Sequence, residues 1–301
     1  MTGAGSGVLG IDVGGTKIAA GIVDPATGVI VCRETIATEP ARGGAAILAD
    51  TVDLARRLIE VAGHGVARIG VGVPQLVDNA GRIRSAYNFD WTDLPVRERL
   101  SALAPAAIES DVRAAARAEA RFGAGQGRRV FAYATIGTGI SYCLVIEGRP
   151  HAGANGFAIH FASSALHVPC EACGHINAPV PEEIASGPAI AAAYARRTGR
   201  NVSGAAEMLA AAESGDEAAR EIVAAAARQL GPLVALIVNM LDPEAIVLGG
   251  GLGLAEGLYR QELIAATRAH IWAEPCRDLP ILPATLGVDA GLVGAALAAC
   301  E

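Results

Sequence analysis

The chain has 301 residues, 52% of them hydrophobic, and carries a formal net charge of −7. That composition excludes a disordered chain and is enough to bury a sizeable core, divided between two lobes. The negative balance, without a basic tract or a block of like charge, argues against a nucleic-acid surface.

In chain order, residues 9–13, 18–23 and 29–36 read as three strands of a hairpin series, punctuated by a turn at 25–28. A helix follows over 45–62 and a buried strand over 69–73. The second half restarts this grammar. Residues 131–136 read as a strand, Gly137-Thr138-Gly139 as a turn, 141–146 as a second strand and 147–149 as the next turn. Helical patterns dominate 188–241, with 205–230 expected as a helix pair broken near Ser214-Gly215, and 245–248 is a short buried strand feeding Gly249-Gly250-Gly251. Strand, glycine-threonine turn, strand occurs twice, which predicts two α/β lobes of similar fold facing each other across a cleft.

The first of these turns lies in LGIDVGGTK, from Leu9 to Lys17. Gly14 and Gly15 would supply positive φ and close backbone approach around an anion. Thr16 and the turn amides would donate to phosphate oxygens, and Asp12 would hold a metal-bound water or orient the transferred group. A plain hairpin turn is the other reading of this stretch alone. Three glycine turns that each follow a strand could together surround a nucleotide.

With those three turns in that order, the chain resembles the ROK family (repressors, open reading frames and kinases) over nearly its whole length. The resemblance implies a two-lobed actin-like ATPase (ribonuclease H-like) α/β fold with an interlobe cleft. The small lobe would be residues 1–112 plus 287–301, and the large lobe 113–286. It implies ATP phosphates at Asp12, Gly14, Gly15, Thr16, Lys17, Gly137, Thr138 and Gly139. The adenosine side would lie at Gly249, Gly250 and Gly251, within NMLDPEAIVLGGG, and residues 289–296 match the family's closing helix. Asp111, in IESDVRAAARAE, stands where the family's catalytic base stands, ahead of an alanine-rich helix and Glu119; without that context it reads as a helix cap. Gly72-Val73-Pro74, Asn88 and Trp91 match the segment that lines the sugar pocket. Asn88 would bind a hydroxyl, since an amide both donates and accepts, whereas Trp91 reads as packing. Glu182, ahead of Ser186-Gly187, matches a further sugar-binding glutamate.

Several positions depart from the family pattern. Where it usually reads G-E-I-G-H, this chain has Gly156-Phe157-Ala158-Ile159-His160. The histidine is kept, but Phe157 cannot make hydrogen bonds worth roughly 1.5 to 3 kcal/mol each that a carboxylate would make. Ser110 replaces a usual asparagine and Gln75 a usual glycine. The family's zinc site, one histidine and three cysteines, is matched by His160, Cys170 and Cys173, with His175 as a candidate fourth ligand. A metal-free loop with two reduced thiols is the alternative. The remaining four of the six cysteines are scattered among apolar neighbours and form no disulfide framework.

The resemblance therefore implies an ATP- and magnesium-dependent kinase acting on the 6-hydroxyl of a hexose, working as a homodimer. An amino-hexose such as kanosamine is the favoured special case, because kinases of that sugar in actinobacterial antibiotic biosynthesis resemble this family. The arginine- and alanine-rich, lysine-poor composition would fit a GC-rich host of that kind. Plain glucose is the alternative substrate. The rival from another class is a non-catalytic sugar sensor, although the phosphate turn at residue 12 leaves no room before it for a helix-turn-helix domain. No secretory leader or run of membrane-span length is read, so the expected compartment is the cytoplasm.

Overall fold

The computed structural model describes residues 7–63, 65–169 and 171–301, and for Val168 and Pro169 the backbone alone. The elements run β1 (Val8–Val13), β2 (Lys17–Val23), β3 (Ile30–Ala37), α1 (Gly44–Ala62), β4 (Arg68–Val73), α2 (Val96–Ser101), β5 (Ala106–Ser110) and α3 (Asp111–Phe122). They continue with β6 (Val130–Ile136), β7 (Ile140–Ile146), β8 (Arg149–Pro150), β9 (Val168–Pro169), β10 (Ile176–Asn177), α4 (Glu182–Ala185), α5 (Gly187–Thr198) and α6 (Ala205–Glu213). The chain closes with α7 (Glu217–Leu241), β11 (Ile246–Gly249), α8 (Gly250–Leu254), α9 (Leu258–His270), β12 (Ile281–Pro283) and α10 (Ala290–Ala298). Two compact units result, one of Met1–Gly127, Cys143–Ile159 and Val288–Glu301, the other of Arg128–Tyr142 and His160–Gly287. α3, read from the sequence into the large lobe, packs on α10 and so belongs to the first unit.

In the first unit the sheet order is β3-β2-β1-β4-β5, with β1–β3 antiparallel and β4 and β5 parallel to β1. Side chains alternate between faces along a strand. Leu9, Ile11 and Val13 therefore share a core with Ile69, Val71 and Val73, covered by Ile47, Leu54 and Leu58 of α1. The opposite face carries Gly10, Asp12, Gly70 and Gly72. A Cβ on Gly10 or Gly70 would collide with the backbone carbonyl of Leu292 or Ala295. Only glycine lets α10 lie this close to the sheet, and that approach brings Gly291 beside Asp12, where an added Cβ would stand 2.7 Å from the carboxylate. Trp91 is 1% exposed, meets Phe89 edge-on at 4.8 Å and donates its indole N–H to Gly44 O at 2.8 Å. It is packing under the first turn of α1.

The second five-stranded sheet has the order β12-β11-β6-β7-β8, with β6, β11 and β12 parallel. The expected helix break falls at Ser214-Gly215, between α6 and α7. α7 then runs through Pro232 to Leu241. Its 25 residues and a window of mean hydropathy 1.6 have the length and composition of a membrane span, which the sequence reading did not single out. Buried side chains from Val223 to Val238 place that helix in the core of its unit, against Tyr259 and Leu263 of α9.

Candidate active site

In the first unit, chemistry gathers at the ends of β1, β4 and β5. Register sets Asp12 opposite Gly72 and Gly72 opposite Glu109, and Asp111 begins α3 directly after β5. A Cβ on Gly72 would lie 3.7 Å from the Asp111 Cα. Asp12 is half-buried, and burial pushes its carboxyl up to about 6 against the opposing pull of Lys17 and Arg33. Burial, and next the negative charge of Asp12, push Asp111 up to about 7, although its Oδ1 accepts the Val112 N–H at 2.6 Å. Two carboxyls that oppose each other's ionisation mark a place built for a cation or a proton acceptor. Ser110 N-caps α3 without a side-chain cap bond; its enclosed hydroxyl lies close enough to Asp111 to favour that carboxyl's ionised form.

The first glycine turn is a hairpin between β1 and β2, closed by Gly14 N–H to Lys17 O at 2.9 Å and braced by Thr38 Oγ1 donating to Gly14 O at 2.7 Å. Positive φ, expected at Gly14 and Gly15, is absent from both. Space is tight but not closed, since Cβ atoms there would stand 3.1 Å from Lys17 O and 3.3 Å from Asn88 Oδ1. The exposed Asn88 carboxamide thus sits beside the turn, while Thr16 and Lys17 are open to solvent. Gln75 is 2% exposed, donates to Phe89 O at 2.9 Å and accepts from Ser85 Oγ at 2.8 Å and Tyr87 N–H at 3.1 Å. It spends its bonds shaping the segment that carries Asn88. Phe157 is 37% exposed, and Glu119 is buried at the far end of α3, accepting the Ala124 N–H.

In the second unit, β6 and β11 pair so that Thr135 is opposite Gly249, and their glycine turns adjoin. A Cβ on Gly137 would be 3.5 Å from Gly251 N. Gly250, at φ 77°, could not carry one, since it would meet Ile136 O at 2.5 Å. The turn at Gly137-Thr138-Gly139 is held from two sides. Gly187 N–H, at the start of α5, donates to Gly137 O at 2.8 Å, and Ile140 N–H donates to Glu182 Oε2 at 2.6 Å. Glu182 therefore braces the turn, a role the sequence did not reveal. His160 is exposed, with Nδ1 3.2 Å from Ser163 Oγ. Partial burial lowers its pKa against the charge of Glu182. A cavity of about 420 Å³ opens beside Gly251, lined by Ala205, Leu209, Ala255 and the carboxylates Glu213 and Glu256. An apolar pocket with a few polar groups at the carboxyl end of a parallel strand suits a planar base.

Among the described residues, no three or more metal-ligating side chains come together. Cys173 and His175 are exposed, and Cys170, the other expected cysteine ligand, lies outside the described residues.

Two mixed five-stranded sheets, with glycine turns at the ends of their strands, define an actin-like ATPase fold. The ROK family pattern matches residues 8–301, and the chain belongs to the ROK family. It is 30% identical to the glucokinase of Streptomyces coelicolor over 309 residues, covering 96% of each chain. It is 31% identical to an N-acetylmannosamine kinase of Escherichia coli, covering 97% of each. Among solved structures, a ROK family glucokinase from Streptomyces griseus in complex with glucose and AMPPNP superposes with a TM-score of 0.84 at 30% identity, covering 98% of this chain and 99% of that one.

Proposed function

We propose that the chain is an ATP-dependent sugar kinase that phosphorylates the 6-hydroxyl of a hexose. An amino-hexose such as kanosamine is its special case and plain glucose the alternative. The observation that carries this reading is Asp111, a carboxyl at the end of β5 pushed up to about 7 by burial and by the charge of Asp12. A base of that strength is matched to neutral pH, and phosphoryl transfer asks more for positioning than for deprotonating force. Asp111 accepts the proton of the attacking hydroxyl. Asn88 and His160 orient the sugar, and the second carboxylate oxygen of Glu182 is left for it. Phe157 offers an apolar surface where the family usually presents a carboxylate, which supports a substrate other than plain glucose.

Thr16, Lys17, Thr138 and the backbone of both phosphate turns hold the phosphates of ATP, and the cavity beside Gly251 takes the base and ribose. Magnesium fits the donor set, because a cation would favour the ionised form of the half-buried Asp12 carboxyl against the cost of its burial; Asp12 would hold it through water. When bound, the ion neutralises charge on the phosphate oxygens. A cytoplasmic homodimer completes the reading, supported by exposed apolar side chains at Leu236, Met240 and Trp272.

Initial rates of ADP release with glucose, kanosamine, N-acetylglucosamine, N-acetylmannosamine and fructose test the proposal. Preference for an amino-hexose supports the special case, and preference for glucose replaces it with the alternative. Sugar binding with no ADP release from any of the five would reject the kinase in favour of a sensor. Light scattering decides the dimer.

A further inference from the structure

Arg113 is a buried charge two residues beyond Asp111. Its side chain is 4% exposed, and all three of its nitrogens are engaged. Nε donates to Glu109 Oε1 at 2.6 Å, and Nη2 lies 2.5 Å from the same oxygen. Nη2 also donates to Val77 O at 3.0 Å, and Nη1 donates to Gly156 O. Glu109 is fixed in turn, since its Oε1 accepts the Ser110 N–H at 2.8 Å and its Oε2 lies 3.4 Å from Arg117. Arg117 itself pairs with Glu301. A guanidinium is costly to bury unless its charge and donors are all matched. Its flat fork reaches a carboxylate and two carbonyls at once, which a lysine ammonium does not.

The two carbonyls belong to different segments. Val77 lies in the arm after β4, which turns back through a bridge to Ile83 and continues, held by Gln75, to Asn88. Gly156 immediately precedes Phe157. Arm and loop also touch directly. Asn79 Nδ2 donates to Gly153 O at 3.2 Å and Ala154 O at 2.9 Å. Gly156, at φ 86°, packs so tightly that a Cβ would clash with Val77 O and stand 2.8 Å from Asp78 Cα.

We propose that Arg113 is a positioning residue for the sugar, fastening the Phe157 loop and the Asn88 arm onto the helix that begins at Asp111. This rests on the sugar-kinase reading. Without the guanidinium, both carbonyls lose their donor, and the two segments are freed from the base they must be aligned with. ATP binding draws on none of these contacts.

Two measurements on the full chain test it. Amide hydrogen exchange of R113M without ligand is expected to speed up in residues 74–88 and 151–159 and to stay unchanged in α7. Steady-state kinetics are expected to show the sugar KM raised about tenfold or more, with the KM for ATP within about twofold of wild type. R113K, which keeps the charge opposite Glu109, should restore part of the sugar KM. N79A should combine non-additively with R113K, because both hold one loop. Unchanged exchange in the two segments, or a fall in kcat with the sugar KM unmoved, overturns the proposal. Should R113M not fold, R113K and N79A decide by the same criteria. Should wild type phosphorylate none of the sugars, the kinase reading fails, while exchange still reports on Arg113.

Discussion

Replacing Asp111 with asparagine separates a catalytic base from a residue that only holds the first turn of α3, because the two roles give different outcomes. In a purely structural role, at the first position of α3 behind the N-cap Ser110, asparagine serves nearly as well as aspartate, since its Oδ1 keeps the Val112 N–H bond of 2.6 Å. Stability would then change little at any pH, and turnover would survive. As a base, the native carboxyl rises from 3.8 to about 7 through burial and the nearby Asp12 charge. The folded protein thus holds a proton that the unfolded chain releases between those values, so stability falls as pH rises from 3.8 to about 7. Below that window the carboxyl is neutral in both states and costs nothing; above it the full penalty applies, at most roughly 4 kcal/mol for a rise of this size. Partial exposure of Asp111 and its shared titration with Asp12 reduce this, and D111N is expected to gain about 1 to 3 kcal/mol at pH 8 and almost nothing at pH 4. Turnover should drop by about 10² to 10⁴, and wild-type kcat/KM should rise with pH across neutrality. Urea unfolding at both pH values, with sugar kinetics at pH 8, reads all of this. Equal stability changes at the two pH values together with retained turnover would refute the assignment.

Three further substitutions probe other parts of the site. G251A adds a methyl where nothing lies within 4 Å, so unfolding should be unchanged while the KM for ATP rises several-fold; an unaltered KM removes the adjacent cavity as the nucleotide pocket. Q75A deletes the three bonds that shape the Asn88 segment and should cost about 1 to 3 kcal/mol, chiefly through the Phe89 carbonyl left without its donor. The sugar KM should rise with it, and a destabilised variant with native KM would detach Asn88 from the sugar. F157E places a carboxylate at a partly exposed position. One bond to a sugar hydroxyl, worth roughly 1.5 to 3 kcal/mol, should lower the KM for glucose by about tenfold or more, and no gain on glucose would contradict the placement of Phe157 at the sugar.

Much of the fold was legible because its signals are local. Alternating apolar residues in 9–13 and 69–73 mark strands whether or not the rest of the chain is present, and Ser214-Gly215 breaks a helix by its own propensities. The sites were less legible where a residue's role depends on distant partners. Glu182 reads as a sugar ligand from its spacing to Ser186, yet its Oε2 accepts the amide that follows the glycine turn. Gln75 looks like a specificity change and is a structural clasp. Arg113 gave no signal, because the first of three arginines spaced four apart in an alanine-rich helix looks like part of a solvated face until the carbonyls of Val77 and Gly156 arrive beside it.

LGIDVGGTK and its echo at Gly137-Thr138-Gly139 were sufficient to announce two tight turns, since glycines after a buried strand define a tight turn by their own chemistry. What surrounds those glycines was decided only by tertiary structure. At Gly14 and Gly15 the backbone is not left-handed, and the close neighbours are Lys17 O and the Asn88 side chain. The acidity of Asp111 likewise belongs to no stretch of sequence. It arises from burial and from Asp12, on a strand separated by almost a hundred residues of chain, and such a field exists only once β1, β4 and β5 lie side by side.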